Sequence, residues 1–316
     1  MDGFELRLAR TWEEALSLHG AGAMYVAGGT DLLPNVKHRI FKPSRLVSLS
    51  GIPGGISLGE SLVIGATTTL QAVADDPAVR ALVPPLAEAA ASVAGPQIRN
   101  MGTLGGNVLL DTRCLYYNQT EHWRASLGYC LKAEGTWCHV VGGPKTCVAA
   151  QSSDTVPVLL SLDARLRLLG PGGARELAIR DLYRFNGMDH LAIDNGELLT
   201  DVVVPRPAVD FRGSYQKLRT RDSIDFPQLG LAIAAEVHEN VLGKLEIVVG
   251  AANPQPKPVR GLDAFAGAAI DGTTAEAIAD LVYKQTRPQG SVHGGEAWRR
   301  QMARVMARRG LMKLRA

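Results

Sequence analysis

The chain has 316 residues, 46% of them hydrophobic and 21% charged, with 34 Lys and Arg against 31 Asp and Glu. That length calls for two or three packed units, the composition excludes a disordered or fibrous chain, and a net charge of +3 gives no pull toward nucleic acid. No apolar run reaches the roughly 18 residues that a membrane span needs, and the charged start MDGFELRLARTWEEAL has no apolar signal core, so a cytoplasmic protein with no membrane contact is expected.

In chain order, Phe4 to Leu8 alternates in polarity like a strand. Thr11 to Leu18 reads as a helix, with Thr11 as N-cap and Glu14 as its capping-box partner. Met24 to Ala27 is a short apolar strand that runs into Gly28-Gly29-Thr30-Asp31 and a helical turn from Leu32 to Arg39. Leu46 to Leu49 and Ser61 to Ile64 read as strands, and Pro85 to Ala94 as a helix. The glycine-rich GPQIRNMGTLGGNV that follows reads as a loop. Residues 112 to 150 have little periodicity and read as an insertion folded around something other than a large apolar core. Val156 to Leu169 is a helix followed by a strand, and Pro205 and Pro207 mark a boundary. Beyond it lie three strands, at Gly213 to Leu218, Leu229 to His238 and Lys244 to Gly250. Two helices close the chain, about Thr274 to Thr286 and Gly295 to Arg309; the basic run Arg299 to Arg315 reads as a solvated helix face.

Three features carry chemistry. Ala27 to Leu33 places two bare glycines after a strand and before a helix, where backbone N–H groups can approach a phosphate. Thr103-Leu104-Gly105-Gly106-Asn107 repeats the design, so the two loops together suit the pyrophosphate of a dinucleotide. Neither is a G-x-G-x-x-G or a P-loop. The four cysteines, Cys114, Cys130, Cys138 and Cys147, fall within 34 residues with the spacing C-x15-C-x7-C-x8-C. In a cytoplasmic chain that clustering points to metal or iron–sulfur ligation before disulfides. The spacing fits neither a zinc knuckle nor a compact ferredoxin run, so zinc and iron–sulfur both stay open. His122 and His139 lie in the same segment as supporting groups. Asp154 can accept from a ribose or a flavin ring N–H, although local chemistry favours a helix cap. Tyr215, Lys217 and Arg219 share one strand face, as a solvated basic edge or beside a flavin. Gly55-Ile56-Ser57-Leu58-Gly59 matches G-x-S-x-G but lacks the strand–turn–helix setting of a nucleophile elbow. Asn118-Gln119-Thr120 has no standing as a glycosylation site without a secretory signal.

The segments AGGTDLLP, RNMGTLGGN, SDTVPVLLSLDA and YQKLRTRDSIDFP resemble, in that order and over essentially the whole chain, the FAD-binding medium subunits of the molybdenum hydroxylase (xanthine oxidase) family. The inserted DTRCLYYNQTEHWR, GYCLKAEGTWCHV and Cys147 resemble the β subunits of the 4-hydroxybenzoyl-CoA reductase branch; ordinary medium subunits lack the insertion. The resemblance implies an α+β fold. It divides the chain into FAD-binding subdomains over 1–55 and 56–205, the second with a [4Fe-4S] insertion at about 112–150, and a C-terminal α+β domain over 210–316 with a three-stranded sheet and helices. It implies that FAD is held by Ala27, Gly28, Gly29, Thr30, Asp31, Leu32 and Leu33 and by Thr103, Gly105, Gly106 and Asn107. Asp154 and Lys217 would lie near the flavin, and Arg113 at FAD or the cluster. Cys114, Cys130, Cys138 and Cys147 would ligate a [4Fe-4S] cluster. The implied partners are a molybdenum-cofactor large subunit, a small subunit with two [2Fe-2S] clusters, and ferredoxin as electron donor. The implied task is electron transfer, with no catalytic residue of its own, from ferredoxin through [4Fe-4S] and FAD to the other subunits, for reductive dehydroxylation of 4-hydroxybenzoyl-CoA to benzoyl-CoA. The same architecture could serve an oxidative hydroxylase or a dehydroxylase of another phenol. From a different class, a non-redox nucleotide-binding module with a structural zinc loop fits the same motifs.

Overall fold

The structure, a computed structural model, describes residues 3–315. Its strands are β1 (Glu5–Leu8), β2 (Ala23–Val26), β3 (Arg45–Ser48), β4 (Ile56–Leu58), β5 (Ser61–Gly65), β6 (Arg165–Gly170), β7 (Gly173–Ala178), β8 (Leu198–Pro205), β9 (Phe211–Leu218), β10 (Leu229–His238), β11 (Val241–Gly250) and β12 (Lys257–Pro258). They form three sheets. The first is parallel, in the order β1-β3-β2, with Leu6 and Met24 both paired to Leu46. The second is antiparallel, in the order β4-β5-β8-β6-β7, and the third antiparallel, in the order β12-β11-β10-β9. The third therefore has one more strand than the three expected, a two-residue edge that pairs Val248 and Val249 with Pro258 and Lys257.

Period-2 alternation decides which face of each strand is buried. In β6, Leu166 and Leu168 enter the core, while Arg165 stays outside and bonds Glu176 of β7 at 2.9 Å. In β10, Leu229, Leu231 and Ile233 pack with the two long C-terminal helices, Gly272–Gln285 and Glu296–Met312. Ala232 faces the other way, into the core of the second sheet with Tyr215 and Val248. The helix Thr155–Ser161 lies against that face, and every one of its residues is buried. Each fully buried leucine contributes about 1.5–3 kcal/mol by leaving water, so this double-faced sheet welds the C-terminal part to the rest.

Local chemistry departs from expectation in four places. Thr11 caps Trp12–Leu18 by accepting the Glu14 N–H, but the Glu14 carboxylate turns to the N–H of Arg10 rather than to Thr11. GPQIRNMGTLGGNV is no simple loop. It carries the short helices Pro96–Arg99 and Leu104–Val108, the second capped by Thr103 and buried through Leu104 and Val108. Arg299 is not on a solvated face; it is fully buried, and its guanidinium donates to the Gln228 and Gln289 carbonyls. Strand β9 is an edge, yet Lys217 on it is buried, because its partner Asp154 lies beneath it. The insertion is irregular as expected, with one short helix, Glu121–Ser126, and one 3-10 turn, Leu131–Ala133. Among the described residues no helix is long and apolar enough to cross a membrane.

Candidate functional site

The two glycine loops meet. A Cβ on Gly28 would sit 1.8 Å from the Met101 carbonyl oxygen, so only glycine lets the first loop reach the second. Gly29 adopts a left-handed φ of +69° that glycine takes without strain. Gly105 plays the equivalent part in the second loop, where a Cβ would lie 2.6 Å from that of Ala66. Among the described residues, no hydrogen bond within the chain uses the N–H groups of Gly28, Gly29 and Thr30. Backbone donors left bare between glycines form a nest that attracts anionic oxygen.

Behind these loops opens a cavity of about 410 Å³. Ala27, Gly28, Gly29, Thr30, Asp31 and Leu32 line one wall, and Thr103, Gly105, Gly106 and Asn107 another. The two loops line this one cavity together, while Leu33 lies outside the lining and packs against Gly29. Asn107 lines the cavity, but its side-chain oxygen is engaged. It accepts from the Ser153 and Thr155 hydroxyls at 2.6 and 2.7 Å, pinning the second loop to the start of Thr155–Ser161.

Asp154 also lines the cavity, and it is not a helix cap: its side chain makes no capping bond, and Ser153 accepts the Val156 N–H instead. The Asp154 carboxylate accepts from the Tyr215 hydroxyl at 2.7 Å and from Lys217 Nζ at 2.8 Å. Burial pushes this carboxyl up, against the pull of Lys217 and the Tyr215 hydrogen bond. Lys217 itself is one layer back from the cavity, where it also donates to the Ser92 carbonyl at 3.0 Å. Arg113 is likewise outside the lining. Its guanidinium pairs with Asp31 and lies 3.8 Å over the ring of Phe226, both of which do line it.

Other lining residues carry no sequence signature. Trp12, Tyr25 and Phe41 add aromatic walls, and Ile224, Asp225 and Phe226 arrive from the connection between β9 and β10. Burial raises the Tyr25 phenol to about 12, and its hydroxyl donates to the Gly196 carbonyl. These are single residues from distant segments, and only folding collects them.

The four cysteines converge on a second, small cavity, with Tyr116, Tyr117, Lys132 and His139 among its other walls. All four are buried and none is in a disulfide. Burial, reinforced by the neighbouring thiols, raises Cys114 to about 12 and also raises Cys147. Among the described residues, no three His, Cys, Asp or Glu side chains are placed to hold a metal ion as they stand. Local backbone bonds fix three of the cysteines. Asn118 accepts the Cys114 N–H, Cys130 O takes the N–H groups of Ala133 and Gly135, and the Cys138 N–H donates to Gly143 O. Gly187 packs on the last one, since a Cβ there would lie 2.7 Å from Cys147 Sγ. Of the two histidines in the segment, His139 reaches the cavity and bonds Tyr129 O at 2.8 Å, while His122 does not line it.

The insertion is anchored on the first glycine loop's neighbourhood. Buried Arg124 donates to the carbonyls of His38 and Arg39. Asp31, Asn35 and Asn118 form a hydrogen-bonded chain that ends at the Cys114 N–H. The two cavities are therefore neighbours joined through Arg113 and Asn118.

Comparison with known proteins gives one consistent result. Residues 2–207 match the family described as FAD binding domain in molybdopterin dehydrogenase, and residues 213–314 match the CO dehydrogenase flavoprotein C-terminal domain. The chain is 30% identical over 291 residues to the aldehyde oxidoreductase FAD-binding subunit PaoB of Escherichia coli (strain K12), across 87% of this chain and 88% of that one. It is 29% identical over 304 residues to the carbon monoxide dehydrogenase medium chain of Afipia carboxidovorans, across 94% and 90%. The fold matches reconstituted CO dehydrogenase from Oligotropha carboxidovorans with a TM-score of 0.79 at 27% identity, covering 100% of this chain and 99% of that one.

Proposed function

The chain belongs to the family of FAD-binding subunits of molybdopterin dehydrogenases, and from that premise we propose that it is the electron-transfer flavo-iron–sulfur subunit of a molybdenum reductase that dehydroxylates 4-hydroxybenzoyl-CoA. The observation that carries the iron–sulfur part is the set of four buried, unpaired thiols around one cavity beside the flavin site. Neutral thiols are costly to ionise there, so a group of high positive charge is what would make four thiolates stable in so apolar a place.

The residues fit both groups. The N–H groups of Gly28, Gly29 and Thr30 and the Thr103 turn would receive the FAD pyrophosphate, and the aromatic walls would flank its rings. Asp154, held by Tyr215 and Lys217, offers a fixed acceptor at the cavity wall. Cys114, Cys130, Cys138 and Cys147 would hold [4Fe-4S]. When bound, these two groups supply all the redox chemistry, the flavin in single or paired electrons and the cluster in single ones. The chain's own residues place them, keep water away and set the local charge. Arg113, ion-paired to Asp31 and next to Cys114, orients the segment between the two sites.

The partners in this reading are a molybdenum-cofactor large subunit and a small subunit with two [2Fe-2S] clusters, with ferredoxin as donor. The name of one relative favours a second reading, since a carbon monoxide dehydrogenase medium chain belongs by its name to an oxidative enzyme. The same fold would then pass electrons outward. Reduction of the intact complex by ferredoxin but not NADH supports the reductive direction; the reverse supports the oxidative one. Anaerobic purification followed by assay of FAD, iron and acid-labile sulfide tests the cofactors. FAD with about four irons and four sulfides per chain beyond those of the small subunit's two [2Fe-2S] clusters is expected; zinc without that additional sulfide would overturn the cluster.

A further inference from the structure

Lys132 follows Cys130 by two residues, on the Leu131–Ala133 turn, and its side chain is buried. It is the one lysine or arginine that lines the cysteine cavity among the described residues. Its ammonium donates to Asp111 Oδ1 at 2.6 Å, to Thr112 Oγ1 at 2.6 Å and to Thr112 O at 3.1 Å, and it lies 4.6 Å from the centroid of the Tyr117 ring. All three ammonium protons thus have acceptors. Asp111, its ion-pair partner, lines the other cavity, and the same Oδ1 lies 3.8 Å from His190 Nδ1.

The bonds continue to the remaining cysteines. Thr112 lies two residues before Cys114, and its hydroxyl donates to the Gly187 carbonyl at 2.6 Å. Gly187 in turn donates its N–H to Cys147 O at 2.9 Å. One ammonium therefore joins the segments of Cys130, Cys114 and Cys147, three of the four thiols. The buried pair also spans the wall between the two cavities, since Lys132 lines the cysteine cavity and Asp111 the flavin cavity.

We infer that Lys132 is a positioning residue that ties the cysteine segments together and, through the Lys132–Asp111 pair, raises the potential of the group those cysteines hold. This rests on the cluster reading above. A four-thiolate iron–sulfur group gains one negative charge when a reductant gives it an electron, with no bond made or broken in the protein. A fixed positive end nearby in a low-dielectric site stabilises that form.

The test is an EPR-monitored dithionite titration of the intact complex, wild type beside Lys132→Met, Lys132→Arg and Asp111→Asn, with iron and sulfide assayed in each. The expected result is a lower midpoint potential in Lys132→Met, restoration in Lys132→Arg, and a higher potential in Asp111→Asn, where the ammonium loses its counter-charge. Should Lys132→Met fail to fold, Asp111→Asn still reads the sign of the field. Full iron content with unmoved potentials in the variants overturns this inference and leaves the cluster reading standing. Wild-type complex with no iron or sulfide beyond that of the small subunit's two [2Fe-2S] clusters overturns both.

Discussion

The two cavities are built by opposite means. The larger is a backbone construction: glycines bring two loops into contact, the N–H groups of Gly28, Gly29 and Thr30 are left without partners among the described residues, and regular strands and helices hold each loop from behind. The smaller is a side-chain construction: thiols, an ammonium and amide hydrogen bonds shape a stretch with almost no regular structure. A backbone site tolerates variation in what surrounds it but not a Cβ in the wrong place. A side-chain site fails when one functional group is lost, and without its bound group it has little apolar core to fall back on; its buried cluster is Cys114, Cys130 and Cys147 with Tyr117 and Ala149.

Four substitutions break or sharpen that contrast. The largest effect is expected where the backbone site leans on a buried ion pair. Lys217→Met strands the Asp154 carboxylate, and breaking such a pair costs about 3–5 kcal/mol. Thermal denaturation and FAD retention on gel filtration should both show the loss, with iron content unchanged. Next, Gly28→Ala drives a Cβ into the Met101 carbonyl, at the upper end of overpacking costs, about 3 kcal/mol. FAD should be lost while iron stays; loss of iron alone would show that the two sites do not divide in this way. Gly187→Ala reverses the pattern. Its Cβ presses on Cys147 Sγ, so iron should fall at a cost of about 1–3 kcal/mol while FAD is kept.

The smallest effect is electrostatic. Burial holds the His190 imidazole below its ordinary value of 6.5, although Asp111 pulls the other way. An unfolded chain takes up that proton first as pH falls, so the contribution is full above 6.5 and is lost as pH falls from there through the folded value. Denaturant titrations at pH 7.5 and 5 should show stability decreasing by less than about 1.4 kcal/mol per unit of pH, with a flatter profile in His190→Gln.

Much of this was legible in the sequence because local chemistry sufficed. Thr11 before an amphipathic run, two glycines after an apolar strand and four clustered cysteines each act within a few residues. What escaped notice acts over distance. Gly187 looks like a loop glycine, yet it packs against Cys147 some forty positions earlier in the chain. Asp154 reads as a cap because Lys217 and Tyr215, its actual partners, lie on another sheet. Arg299 reads as surface because the carbonyls that receive it, Gln228 and Gln289, come from separate turns. The short helix Leu104–Val108 was hidden by its glycines, which weaken helix propensity but let it press against Ala66.

The central claim is that the insertion holds an iron–sulfur group next to the flavin cavity. Anomalous diffraction from anaerobically grown crystals, collected at the iron and zinc absorption edges, tests it most directly. The expected result is a peak enclosed by Cys114, Cys130, Cys138 and Cys147 that collapses just below the iron edge and does not change across the zinc edge. A peak that rises only above the zinc edge, or no peak between those sulfurs, would contradict it.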